Sequence, residues 1–208
     1  MKERPILFSG PMVRAILSGA KTQFRRILKP QPAPYVEFVR EHAPEVYGPG
    51  ALCAFREDGK THHRMAPCPY GQPGDRLYVK ETWAPRDQQA MTERDRSSVF
   101  YRADDERRHE TDGRWKSPIH MPRWASRLTL EITGVRVERL QAISEADAIA
   151  EGVTAVSSGG VTLFTTTGVN CFQTAKDAYA ALWESINGPG SWDANPLVWV
   201  VEFRRIDK

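Results

Sequence analysis

The chain has 208 residues, of which 40% are hydrophobic and 26% charged, with a formal net charge of +3. That length suits one well-buried domain, no apolar run approaches a membrane span, and three cysteines (Cys53, Cys68 and Cys171) are too few for a disulfide scaffold. A mildly basic balance permits a nucleic-acid partner without demanding one, although most of the 29 Lys+Arg are arginine, whose planar fork suits phosphates and base edges.

The odd cysteine count points to a reducing compartment. The opening residues, Met1 to Pro5, lead into no long apolar run, so no secretory signal is expected and a soluble, cytoplasmic protein is. Ile6 to Phe8 reads as a first strand. Ser9 is placed to cap a helix, Pro11 suits its first turn, and Met12, Val13, Ile16 and Leu17 share one face. Gly19 falls where a helix-ending glycine belongs, so the chain turns sharply before Lys21, and Ile27 and Leu28 begin a strand with Arg25 and Arg26 at its start.

From Pro30 to Pro73 the sequence is rich in Pro and Gly and reads as a long irregular insertion with one short hairpin, Ala51 to Phe55. Gly74 and Asp75 supply a turn, and Leu77 to Trp83 alternates like a half-buried strand. A loop from Ala84 to Asp95 precedes a strand at Ser98 to Tyr101, and Asp104 to Pro118 is a highly charged loop. The clearest β-region follows: Leu128, Leu130 and Ile132 alternate with polar residues, and Val135, Val137 and Leu140 continue past a bulge or bend at Gly134. Ser144 to Asp147 has the form of a capping box opening a short helix that ends near Gly152. Ser157 to Gly168 reads as a loop, Ala175 to Ile186 as an amphipathic helix, and Leu197 to Phe203 as a central strand. Strands and helices do not alternate as βαβ units require. The expected fold is therefore α+β: a small mixed or antiparallel barrel with peripheral helices, one domain over 1–208, and insertions at about 30–73 and 84–118.

Two groups of residues carry possible chemistry. Arg25 and Arg26 are adjacent and so point to opposite faces of an extended chain, with at most one expected in any one cleft. Tyr101 and Trp124 are candidate platforms for a base, whereas Trp183 and Trp199 have apolar surroundings and read as core. Cys53, His62, His63 and Cys68 lack the tight spacing of a zinc site, so no metal and no cofactor is expected. Asp104 to Glu106 reads as a solvated charge run. No P-loop, dinucleotide-binding glycine pattern or nucleophile elbow is present.

A helix, then Gly19-x-Lys21-x-x-x-x-Arg26, a Gly–Asp turn before a strand, Leu140 to Gly152 and a closing strand together resemble the ASCH domain, a branch of the PUA-like β-barrels. The runs Gln72 to Leu77, His120 to Ala125 and Trp192 to Asn195 resemble an enlarged form of that family found in bacteriophages and prophages. The resemblance implies a barrel with a cleft that recognises a nucleobase in RNA, in modified nucleic acid or as a free nucleoside. Lys21 and Glu151 would be the catalytic positions, facing each other across the cleft as a desolvated pair suited to acid–base work, with a structural salt bridge as the alternative. Thr22, Phe24, Arg25, Arg26, Tyr101 and Trp124 would be available to the ligand. In the related amidohydrolases that deacylate the N4 of cytidine, a lysine, a threonine and a glutamate form the site. The third position falls on Phe24, which can neither attack a carbonyl nor relay a proton. Thr22 is the nearest hydroxyl. The alternatives are a working hydrolase, either an N4-acylcytidine amidohydrolase or a ribonuclease, and a phage-encoded protein-interaction module.

Overall fold

The two longest strand-forming runs of the sequence lie side by side at the centre of the molecule. The computed structural model describes residues 1–31, 37–39, 52–57, 60–65, 67–104, 115–166 and 170–206. Its main sheet is built from β1 (Glu3–Leu7), β2 (Gln23–Ile27), β6 (Arg76–Lys80), β9 (Thr129–Arg139) and β13 (Leu197–Ile206), in the order β1-β6-β9-β13-β2. β1 and β6 run parallel, and every other neighbouring pair is antiparallel.

β13 is apolar on both faces, as its composition predicts for a central strand. Leu197, Trp199, Val201 and Phe203 point into one core with Ile6, Phe8, Val13, Phe24 and Leu130. Val198 and Val200 point into a second with Leu140, Ala148, Tyr179 and Trp183. Trp199 is thus core, as read. Helix α1 (Gly10–Leu17) buries Val13 and Ile16 against the first core. Ser9 has the extended backbone of a cap, but its side chain makes no capping bond. The second core is covered by α3 (Glu145–Ala150) and α4 (Ala175–Asn187). Ser144 accepts from the Asp147 amide at 3.1 Å, as the capping-box reading requires, and Thr174 does the same for Asp177 at 3.0 Å.

The expected bulge is present. The register between β9 and β13 shifts from Gly134 opposite Glu202 to Ile132 opposite Phe203, leaving Thr133 as the extra residue. A Cβ on Gly134 would lie 2.7 Å from Glu202 Oε2, so the glycine admits the approach of that carboxylate.

The barrel expectation needs correction. Among the described residues the sheet does not close: β1 and β2 are its edges. They nevertheless approach one another. Phe8, just past β1, meets Phe24 of β2 edge-on at 5.6 Å, and Arg26 of β2 donates to the Leu7 carbonyl at 3.2 Å. Side chains, not a backbone ladder, join the two edges.

Smaller sheets decorate this frame. The first insertion is more regular than its composition indicates, with β3 (Glu37–Val39), β4 (Leu52–Glu57) and β5 (Lys60–Met65) forming an antiparallel sheet. No hairpin forms within Leu52 to Phe55, which belong to the single strand β4 paired with β3 and β5; Ala51 lies outside the described residues. β7 (Trp83–Pro85) pairs with β8 (Val99–Tyr101), and the segment between them includes helix α2 (Gln88–Glu93) rather than loop alone. The stretch read as a loop from Ser157 is a hairpin of β10 (Thr154–Ser158) and β11 (Val161–Thr165), extended by β12 (Cys171–Phe172). Its turn is Gly159–Gly160, both at positive φ, a glycine pair that signals a hairpin. Among the described residues no helix is long and apolar enough to cross a membrane.

Candidate functional site

Lys21 sits between the end of α1 and the start of β2, where backbone bonds fix it from both sides. Its amide donates to the Ala15 carbonyl at 3.0 Å, and it pairs with Glu151 as an isolated antiparallel bridge. Thr22 extends this tie, donating to the Ala150 carbonyl and accepting from the Phe203 amide, each at 2.8 Å. Glu151 closes α3, and Gly152 follows at φ +102°, a conformation that releases the chain just where Lys21 packs.

The two side chains meet, as the resemblance implies. Lys21 Nζ donates to Glu151 Oε2 at 2.7 Å and to the Glu151 carbonyl at 2.8 Å, with both residues almost wholly buried. Burial pulls the Lys21 ammonium below its usual value, and the facing carboxylate opposes the shift. The other carboxylate oxygen, Oε1, accepts from Arg25 at 3.1 Å. Arg25 also donates to Glu138 at 2.6 Å and lies 3.4 Å from Asp147. Arg136 completes the network, bonding Glu138 at 3.1 Å, Asp147 at 3.0 Å and Glu202. These groups share the α3/α4 face of the sheet, since Arg25 and Arg136 both stand opposite Val200. Arg25 Nε and Trp183 Nε1 are buried without a partner among the described residues.

Beside this network lies a cleft of about 250 Å³ bordered by Met12, Lys21, Arg26, Glu151, Tyr179 and Trp183. Burial pushes the Tyr179 hydroxyl well above its usual value. The expectation that at most one of the adjacent arginines reaches the cleft is not met: both line it. They do point to opposite faces, but β2 is an edge strand and the cleft wraps around it. Arg25 is the one that binds Glu151. Arg26 is half-buried, its guanidinium lying 5.7 Å from the Phe24 ring centre and 5.9 Å from that of Phe8, and it forms no ion pair among the described residues.

Phe24 is core, packed edge-on to Phe8 and Tyr70 with Arg26 over its ring, and it also lines the cleft. Thr22 is exposed and does not line the cleft. Tyr101 and Trp124 lie elsewhere. Tyr101 donates to the Ala125 carbonyl at 2.8 Å, and Trp124 packs edge-on against Trp83 at 6.2 Å. Asp104 is exposed, as read, and also accepts from Arg127 at 2.8 Å. Asp105 and Glu106, and the side chains of Cys53, His62 and His63, lie outside the described residues. Cys68 is buried, and among the described residues no group of His, Cys, Asp or Glu could hold a metal.

Tyr179, Trp183, Glu138 and Arg136 were not singled out as site residues from sequence. The first two read as the buried face of an amphipathic helix, which they also are. The charged pair carried one usable signal, alternation of Arg136 and Glu138 on the strand facing Arg25. Fold and site together define a strand-dominated α+β protein with a buried, multiply paired lysine–glutamate couple beside an aromatic-lined cleft. No protein-family model matches the chain, and neither curated proteins nor solved structures give a match.

Proposed function

We propose that this chain is a nucleobase-recognising protein of the ASCH type, a PUA-like domain that binds RNA, modified nucleic acid or a nucleotide in the cleft beside Lys21. The observation that carries this reading is Arg26. It lines the cleft without a carboxylate partner among the described residues and is held over two aromatic rings. Lys21 and Arg25 bring the cations of the cleft to three, against the single carboxylate Glu151. A planar, partly apolar ring bearing an anionic group matches both the aromatic lining and the surplus of positive charge. Lys21 spends two of its three ammonium hydrogens on Glu151, leaving the third for a ligand acceptor. The near approach of the two sheet edges at Phe8 and Phe24 is the arrangement from which a PUA-like barrel would be built.

The hydrolytic alternative asks more of the same residues. Both oxygens of Glu151 already accept bonds from cations, so the carboxylate must release one before it can activate water. Phe24 supplies no proton. Binding is therefore the reading the geometry favours. Incubation with N4-acetylcytidine, followed by chromatography, separates the two: the substrate should remain intact over hours, while nucleotides raise the thermal midpoint of the wild type. Turnover that disappears in Glu151→Gln would instead make the protein a hydrolase.

A further inference from the structure

A second groove lies over β7 and β8, bordered by Arg86, Arg96, Arg127, Phe100, Tyr101 and Trp115, with a volume of about 390 Å³. Arg96 also borders a neighbouring hollow together with Arg94, Arg123 and Trp124. One continuous surface thus carries five arginines interleaved with aromatic rings. Among the described residues that border it, the two carboxylates each engage one of them: Glu3 pairs with Arg123 at 2.7 Å and Asp104 with Arg127 at 2.8 Å. Arg86, Arg94 and Arg96 are exposed and form no ion pair among the described residues.

Several of these groups are held in fixed positions. Glu81, buried beneath the groove, grips Arg127 with two parallel bonds of 2.8 and 3.0 Å, and the guanidinium lies 4.0 Å from the centre of the Tyr101 ring. Arg123 is stacked over Tyr78 at 5.0 Å and Arg86 over Phe100 at 5.3 Å. A lysine-rich patch would offer point charges to any polyanion. Forked, ring-supported guanidiniums beside half-buried tryptophans match phosphates alternating with planar bases. Helix α1 links this surface to the cleft: Ser9, Met12 and Ala15 line the cleft, while Arg14 donates to the Ala103 carbonyl, next to Asp104, at 3.1 Å.

We propose that this surface binds the phosphodiester backbone of a single-stranded nucleic acid, as a site separate from the base cleft. The proposal rests on the nucleic-acid reading of the cleft and selects a strand over a free nucleoside. The test is fluorescence anisotropy of a labelled oligouridylate over a salt series, with uridine monophosphate titrated separately by calorimetry. The exposed pair Arg86→Ala/Arg96→Ala should weaken oligonucleotide binding about tenfold and lower the slope of log K against log salt by about two, one for each phosphate contact. Arg86→Lys/Arg96→Lys should restore most of the slope, and neither double variant should alter monophosphate binding. A wild-type slope in the alanine variant, equal binding of polyglutamate, or no oligonucleotide binding by the wild type would each overturn the groove. If the oligonucleotide binds with this arginine dependence while uridine monophosphate does not bind, the groove stands and the cleft reading fails. If the monophosphate binds and the slope ignores the arginines, the reverse holds.

Discussion

Among the buried glutamates, Glu151 and Glu81 are each held by arginine, yet their settings differ. Glu151 divides its two oxygens between Lys21 and Arg25, whose side chains are only 2% and 0% exposed. Glu81 gives both oxygens to Arg127, which remains 20% exposed and reaches on to Asp104. In the first setting the charges are paired inside the protein, and of the cleft's three cations only Arg26 lacks a carboxylate partner among the described residues. In the second, the buried acid acts as an anchor that holds a surface arginine in a fixed pose. A buried carboxylate can therefore form part of a site or merely aim a residue that does, and the exposure of its cation distinguishes the two.

The comparison breaks most sharply under mutation. Glu151→Gln leaves two buried cations without their shared anion and should cost about 3–5 kcal/mol in urea unfolding. Replacing both members of the pair, Lys21→Met with Glu151→Met, should cost less than the sum of the single changes, because no charge is then stranded. Glu81→Gln should cost less, about 1–3 kcal/mol, since Arg127 retains Asp104 and contact with water. Equal losses at the two sites would erase the distinction. Gly152→Ala probes the lip of the cleft. Its φ of +102° strains any side chain and its new Cβ would meet that of Ala15 at 3.3 Å, so a loss of about 1–3 kcal/mol is expected.

Acid should separate the same two regions by sign. Burial works to raise the Asp147 carboxyl, but hydrogen bonds from Ser144 and Gln23 and the charges of Arg136 and Arg25 leave it below its ordinary value of 3.8. The unfolded chain thus takes that proton first, and the stabilisation is lost as pH falls through the depressed folded value. Burial pushes Glu81 above its ordinary 4.5 despite Arg127. Its contribution runs the other way, fully present below 4.5 and lost as pH rises through the folded value. Unfolding measured at a series of acidic pH values should accordingly show a steeper decline in Glu81→Gln and a shallower one in Asp147→Asn. The smallest stability change belongs to Arg26→Gln, about 1 kcal/mol or less, because that side chain is only stacked and bonded to one carbonyl.

What could be read from the residues alone depended on whether the signal was local. The Ser144 cap, the bulge beside Gly134 and the two-faced β13 are dictated by short-range chemistry and stand where the sequence puts them. The Gly159–Gly160 hairpin had an equally local signal, outweighed by the polar composition around it. The pairing of Lys21 with Glu151, residues distant in sequence, came only through the family resemblance, and no periodicity would have found it. The share of Arg25 in that pair was out of reach because it depends on β2 being an edge strand, which follows from sheet order. Tyr179 and Trp183 read as core because a residue can be buried and still wall a cleft.

The central claim is that the cleft takes a ring carrying an anionic group, with Arg26 meeting that group. Calorimetric titration of wild type and Arg26→Gln with a nucleoside and its 5′-monophosphate tests it directly. The wild type should prefer the monophosphate by about tenfold or more, and Arg26→Gln should lose most of that preference while still binding the nucleoside. Equal affinity of the wild type for both compounds, or a preference that survives in Arg26→Gln, would contradict the account.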